Sequence, residues 1–291
     1  MSQSRKQLAQ QAIAKAMQVR RQHSVPLHVP LNVFDFAERF EVAVRFVAIP
    51  SMEGVYQADA QPKPTILISS LRPAGRKAMT CGHELGHHIF GHGTQWDELV
   101  SERTQTRRFE PEEYLVDVFS ASLQMPKMAV SRQLSARSID VRSCDPEQVY
   151  AVSTLFGVSY GGFITHLERT LNMINMQRAS GLLKHQPKEL RASLLGRPCS
   201  ENLIVVDRQW EERPVDLEVG DIALVPQDAT LEGEHAAIVE SSSDHAVVSA
   251  LSPGYCRLSH SDGWATHVRI CRKDYEGLAR VRFFEEIDDD E

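Results

Sequence analysis

Residues 4–22 contain neither glycine nor proline, and Leu8, Ile13, Ala16 and Met17 form an approximate helical stripe. This predicts a first helix, whose five charges are all basic. Pro26 and Pro30 break it, and Val33, Phe34, Ala37 and Phe40 mark one face of a second helix. Residues 42–47 alternate and are β-branched, which predicts a strand, and 54–56 and 65–68 read as two more. The proline-free stretch 76–90 predicts a helix with Gly91 as its stop. Pro111 opens a further helix, to about Gln124, because proline at a first turn lacks only an N–H that would be unsatisfied anyway. Pro126 ends it. Asp145-Pro146-Glu147 opens a helix to Phe156, Gly157-Val158-Ser159 turns the chain, and 162–171 form the second arm of a helical hairpin. Beyond a linker-like stretch at 179–200 the period changes. Short β-like runs at 203–206, 222–225, 236–239, 246–250, 267–270 and 279–284 are punctuated by Gly and Pro, the pattern of a small barrel or sandwich.

The fold class that follows is α+β: a helical N-terminal domain with a small sheet, then a mainly β C-terminal domain. The expected division is 1–180 for the first domain, including the hairpin at 145–175, 181–200 for the linker and 201–291 for the second. A length of 291 residues suits two domains. The charge supports the division, since the net −7 resolves into +6 over 1–198 and −13 over 199–291. Opposite signs favour docking between the two parts, and the acidic part is expected to regulate or to bind a partner rather than to join the chemistry. Residues 145–184 carry three acids and three bases, so the hairpin lacks a basic DNA-binding footprint, although it is the segment through which DNA contact would run. No apolar run reaches a membrane span and the N-terminus has no signal-peptide core, which points to a cytoplasmic protein without a membrane partner. Cys81, Cys144, Cys199, Cys256 and Cys271 form an odd, scattered set with no CxxC, against a disulfide framework or a cysteine-rich zinc site.

The chemistry concentrates in His83-Glu84-Leu85-Gly86-His87. Two histidines at i and i+4 share one helix face and can bind one Zn²⁺, with Mn²⁺ a possible substitute in vitro. Glu84 projects from the adjacent edge, out of the coordination sphere but within reach of water there, as a general base requires. A catalytic zinc needs a third protein ligand. His92 is one candidate. A carboxylate of the next helix is the other: Glu113 and Asp117 stand at i and i+4, as in the ExxxD arrangement of gluzincins, with Glu112 and Glu110 as register rivals. Glu113 would then be the ligand, and Asp117 would fix the tautomer of a ligand histidine, most simply His83. An unpaired carboxylate would be costly in the apolar surroundings that the sequence gives Asp117.

Residues 76–88 resemble the zinc helix of ImmA/IrrE-type metallopeptidases. Residues 117–126 are similar to the family's second helix, which ends in Leu123-Gln124-Met125-Pro126 here, with Ser120 where a small Ala is usual. Residues 30–38 resemble its entry helix and 155–159 its helix–turn–helix-like hairpin; the likeness covers about 5–180. Cys81 departs from an expected Ala. The resemblance implies a zincin-like fold and a zinc endopeptidase cutting a protein substrate, typically a helix–turn–helix repressor, to relieve repression of stress, mobile-element or defence genes. Tyr114, Tyr56 and His92 are candidate oxyanion donors, and the strand at 65–69 could offer an edge to an extended substrate. The alternative is a non-enzymatic regulator that binds DNA or a partner around a structural metal; Glu84 speaks against it, since a structural site needs no base.

Overall fold

The computed structural model describes residues 4–98, 109–210, 213–261 and 263–284. The chain begins with helix α1 (Arg5–Gln22), started by a capping box in which Ser4 and Gln7 satisfy each other's backbone N–H groups. Asn32 caps the short α2 (Val33–Ala37) by accepting from the Phe34 and Asp35 N–H groups. The expected longer helix tightens into a 3-10 turn at Glu38–Phe40. Strands β1 (Ala43–Val47), β2 (Met52–Gln57) and β3 (Thr65–Ser69) follow, then α3 (Ala74–Phe90), β4 (Gln95–Glu98) and α4 (Pro111–Gln124). Gly91 stops α3 in the left-handed region at φ 71°, a conformation that glycine adopts without steric cost.

The first sheet has the order β13 (Gly277–Leu278), β1, β3, β2, β4, with β1 and β3 parallel and the remaining pairs antiparallel. Strand β3 therefore lies inside the sheet, and the expected substrate edge at 65–69 is corrected: its backbone groups are taken by β1 and β2. Helix α3 packs between this sheet and α4. It is buried almost all round, from Cys81 and Leu85 in the apolar core to His83, Glu84 and His87 on its polar side. Helix α1 packs across α4 and inserts a fully buried arginine. Arg20 donates to the Leu123 carbonyl at 2.6 Å, and to those of Pro26 at 2.7 Å and Val29 at 2.6 Å. These bonds satisfy carbonyls at the C-terminal end of α4 and in the irregular segment before α2.

Helices α5 (Lys127–Ala136), α6 (Pro146–Phe156), α7 (Tyr160–Arg169), α8 (Met176–Leu182) and α9 (Pro187–Leu195) build a second helical layer. The hairpin of α6 and α7 buries Tyr160, Phe163, Ile164 and Leu167 of its second arm. The linker expected at 181–200 is corrected in the same stretch: Pro187 at the first turn and a Gln186–Glu189 capping box start α9, and Leu190 is buried beside α6. Prolines and a glycine that suggest a flexible connector are here the start and the stop of a helix.

Two four-stranded sheets complete the fold. One has the order β5 (Leu203–Val205), β7 (Ile222–Pro226), β10 (His245–Ala250), β9 (Ala236–Ser241); the other has β6 (Val215–Glu218), β12 (Ala265–Cys271), β11 (Gly254–Ser259), β8 (Thr230–Glu232). Val225, Val248, Leu217, Leu258 and Ile270 from the two sheets share one apolar core, as a sandwich requires. The strand expected at 279–284 is instead a 3-10 turn at Ala279–Val281. The strand pairing falls just before it, where β13 (Gly277–Leu278) runs antiparallel to β1. None of the described helices is long and apolar enough to cross a membrane.

The sandwich is not set apart from the helices. Leu203, Ile222, Leu224 and Val247 belong to the same core as Val149, Phe163 and Leu190. Tyr150 donates its hydroxyl to the Leu203 carbonyl at 2.8 Å, and Arg137 grips Asp207 with two bonds of 2.6 and 2.8 Å. Lys77 of α3 pairs with Glu218 of β6. We therefore expect a chain ending at Ser180 to fail to fold cooperatively, because the helical core loses one wall. Circular dichroism melts and size-exclusion profiles check this; a sharp transition with a monomeric profile would contradict it.

Candidate metal centre

Two glycines on α3 set the geometry of the site. A Cβ at Gly82 would lie 2.5 Å from Ser120 Oγ and 2.7 Å from Gln124 Nε2, and one at Gly86 would lie 2.9 Å from Val116 Cβ. Without side chains there, α4 approaches α3 more closely than side chains would permit. Ser120 uses that approach to donate its hydroxyl to the Met79 carbonyl at 3.0 Å. The first turn of α4 then lies over the histidine face of α3.

His83 Nε2 and His87 Nε2 stand 3.1 Å apart, and the Glu113 carboxylate lies 3.4 Å from the first and 3.5 Å from the second. Three donors around zinc at about 2.0–2.1 Å would be separated by roughly 3.3 Å in a tetrahedron. The donor set is two imidazole nitrogens and one carboxylate, all within 4.8 Å of one another, which suits a divalent ion of zinc's type. His83 Nδ1 is 2.8 Å from Asp117 Oδ1. A carboxylate there holds the proton on Nδ1 and leaves the Nε2 lone pair for a metal. His87 Nδ1 faces His92 Nδ1 at 3.1 Å. His92 thus meets the His87 ring nitrogen opposite to the one that joins the donor set. Glu112 is exposed, and Glu110 stands ahead of the helix at its N-cap.

Without a metal ion, the electrostatics are those of two imidazoles beside carboxylates. Burial alone would lower the pKa of His83, but hydrogen bonds to Asp117 and Glu113 outweigh it and hold the pKa well above the ordinary histidine value. His87 is pushed down to about 4, first by burial and then by the charge on His83. Asp117 is the one site residue whose surroundings differ from expectation. Its side chain is 70% exposed, so the apolar cost expected to anchor it does not operate. Its position one turn after Glu113 on the face toward α3 is sufficient to bring it to His83.

Glu84 is 1% exposed and lies on the α3 face toward β2. Gly54 makes room for it: a Cβ there would meet the Thr80 methyl and would lie 2.9 Å from Glu84 Oε1. His88, one turn further along the same face, meets Tyr56 of β2, with the Tyr56 hydroxyl 2.7 Å from His88 Nδ1. That pairing was not legible from spacing, although His88 follows Glu84 at i+4 and Tyr56 follows Gly54 at i+2. Tyr114 and Phe109 form a tilted aromatic pair with centroids 5.6 Å apart.

A comparison with protein families matches residues 37–165 to the IrrE N-terminal-like domain, the Peptidase_M78 family. The matched stretch contains β1 to β4, α3, α4, α5, α6 and the first part of α7, and so every residue of the metal-ligand cluster. It supports a metallopeptidase-type function and, with the donor set, a metal cofactor. No curated protein matches the chain.

Three substitutions test this geometry. Glu113→Ala should lose the ion on elemental analysis, because two protein ligands bind zinc poorly, whereas Asp117→Asn should keep the site but weaken affinity by about 10- to 100-fold in a chelator competition. Gly86→Ala should cost about 1–3 kcal/mol in a urea melt, since Val116 cannot yield without moving α4. The same variant should release metal more readily than Gly181→Ala, a helical position with open space around it.

Proposed function

We propose, on the premise that residues 37–165 are an IrrE N-terminal-like domain, that this chain is a zinc-dependent endopeptidase acting on a protein substrate in the cytoplasm. The single observation that carries this reading is the convergence of His83, His87 and Glu113 beside a buried Glu84. When bound, the ion would acidify water and polarise the scissile carbonyl. His83, His87 and Glu113 would hold it, with Asp117 orienting His83. Glu84 is the general base: it takes the proton of the attacking water and delivers it to the departing nitrogen. Its burial against Gly54 keeps the carboxylate in one place and away from competing solvent. Among the described residues strand β4 is the outer strand of the sheet beside β2, and it offers an edge along which an extended segment could lie.

The substrate class is a helix–turn–helix transcriptional repressor, whose cleavage would relieve repression in a stress, mobile-element or defence response. The resemblance of the two motif helices supports it. Residues 201–291 serve as the regulatory or partner-binding part, in keeping with their acidic charge and their lack of any metal-ligand cluster among the described residues. The five cysteines are free, as suits a reducing compartment.

The decisive measurement incubates the full chain, with zinc or manganese, with the repressor encoded beside its gene. Cleavage is expected for the native protein. Glu84→Gln, nearly isosteric and unable to take the proton, should keep metal and fold but lose about 10²–10⁴-fold in rate. Undiminished cleavage by Glu84→Gln would remove the mechanism even with the metal site intact.

A further inference from the structure

A cleft of about 900 Å³ runs between the α1–α2 connection, α5 and the sandwich, on elements other than those that carry the zinc ligands. Its size falls within the range of small-molecule sites, at roughly 300–1,000 Å³. Among the described residues two aspartates line it, Asp35 and Asp216, against five arginines. Both aspartates are already engaged. Arg269 donates to Asp216 at 2.5 and 2.8 Å and to Asp35 at 2.9 Å, while Arg282 reaches Asp35 at 3.3 Å.

Arg213 is the exception. Its Nε and Nη1 are buried and have no hydrogen-bond partner among the described residues. Burial pushes its pKa down to about 10, so the group remains a cation at neutral pH. A buried guanidinium with unmet donors is costly unless something pairs with it. Arg213 lines both the wide cleft and a smaller inner cavity of about 110 Å³ that reaches Gly157 and Asn202. At the cleft rim Arg39 and Arg132 are exposed cations. The same walls carry indole rings. Trp264 is half-buried, donates its N–H to the Arg208 carbonyl at 3.1 Å and stacks one face on His260 at 5.5 Å. Trp210 is buried with its N–H bound to the Arg213 carbonyl at 2.8 Å. Both indole N–H groups being satisfied, Trp264 offers the cleft apolar surface rather than a donor, with the buried Trp210 packed behind the wall.

We infer that this cleft binds a phosphate-bearing aromatic molecule of the nucleotide class, its phosphates meeting Arg213 with the rim arginines and its planar base resting against the tryptophan wall. A planar fork of donors suits phosphate geometry, and excess positive charge favours a ligand with more than one negative charge. The site is independent of the peptidase reading, since none of its residues belongs to the zinc cluster.

The test titrates ADP into the full chain and follows heat and tryptophan fluorescence. Saturable binding is expected, with affinity falling as salt rises. Arg213→Gln should weaken ADP by about 10- to 100-fold, the loss of a charge-assisted hydrogen bond. The double variant Arg39→Gln with Arg132→Gln lies on the exposed rim, should melt as the native chain does and should also weaken ADP; it carries the test if Arg213→Gln does not fold. Pyrophosphate should bind more weakly than ADP, and adenosine without phosphates should not bind. The inference is overturned if ADP gives no saturation, if both variants bind it as the native chain does, or if adenosine or pyrophosphate equals it. It is also overturned if an acidic peptide saturates the cleft while ADP does not.

Discussion

The contact between α3 and α4 at Gly82 and Gly86 is the constraint on which the candidate site depends. Zinc-type coordination tolerates errors of a few tenths of an ångström, and Glu113 comes from a different helix, which the sequence reaches only after strand β4. Only close backbone approach, locked by Ser120 on the Met79 carbonyl and by Val116 and Phe119 against Gly86, brings that carboxylate to the two imidazoles. On the opposite side of α3, Gly54 performs the same service for β2 and Glu84. Three missing side chains thus fix the arrangement of the candidate donors His83, His87 and Glu113 relative to Glu84. Arg20 supports it from outside, because its bond to the Leu123 carbonyl fastens the far end of α4 to α1.

Much of the site was legible because its information is local. The spacing of His83, Glu84 and His87 is a property of one helix, and Glu113 and Asp117 share a face of another. What spacing could not give was the relation between the helices, so His92 and neighbouring glutamates stood as rivals until α4 was placed. Asp117 teaches a sharper lesson. Its position one turn after Glu113 puts it 2.8 Å from His83, yet not in apolar surroundings: its neighbours in sequence turn to the core while its own side chain stays largely in water. Tyr56 and His88 were invisible as a pair because they meet across a strand–helix interface that no local pattern encodes.

At the level of the fold, helices with strong punctuation were readable and short strands were less so. Residues 74–90 and 111–124 matched their periodicity and stops. Residues 187–195 did not, because a helix that buries little beyond Leu190 looks polar and linker-like in sequence. Strands β6 and β8 are too short to show a pattern, and β8 is largely exposed, whereas β11 alternates over six residues but opens on a glycine and carries a cysteine and an arginine. The charge contrast between the two parts was visible, and the structure shows how it is used. Arg137 with Asp207 and Lys77 with Glu218 join the positive part to the negative one, while Arg269 with Asp35 runs in the opposite sense. These pairs stand beside a continuous apolar core, which carries the larger share of burial energy.

The return of β13 to β1 has a consequence for the order of events during synthesis. Leu278 sits opposite Arg45, so the flank of the first sheet waits for a strand made more than two hundred residues later. A ribosome adding about 5–20 residues per second leaves that flank uncovered for at least ten seconds or so. Throughout that interval β1 exposes backbone donors and acceptors to any passing strand, including its own counterpart on a neighbouring polysome chain. Sheet completion is therefore a closing step of biogenesis, and the nascent chain's vulnerability lies at an edge that the finished molecule no longer displays.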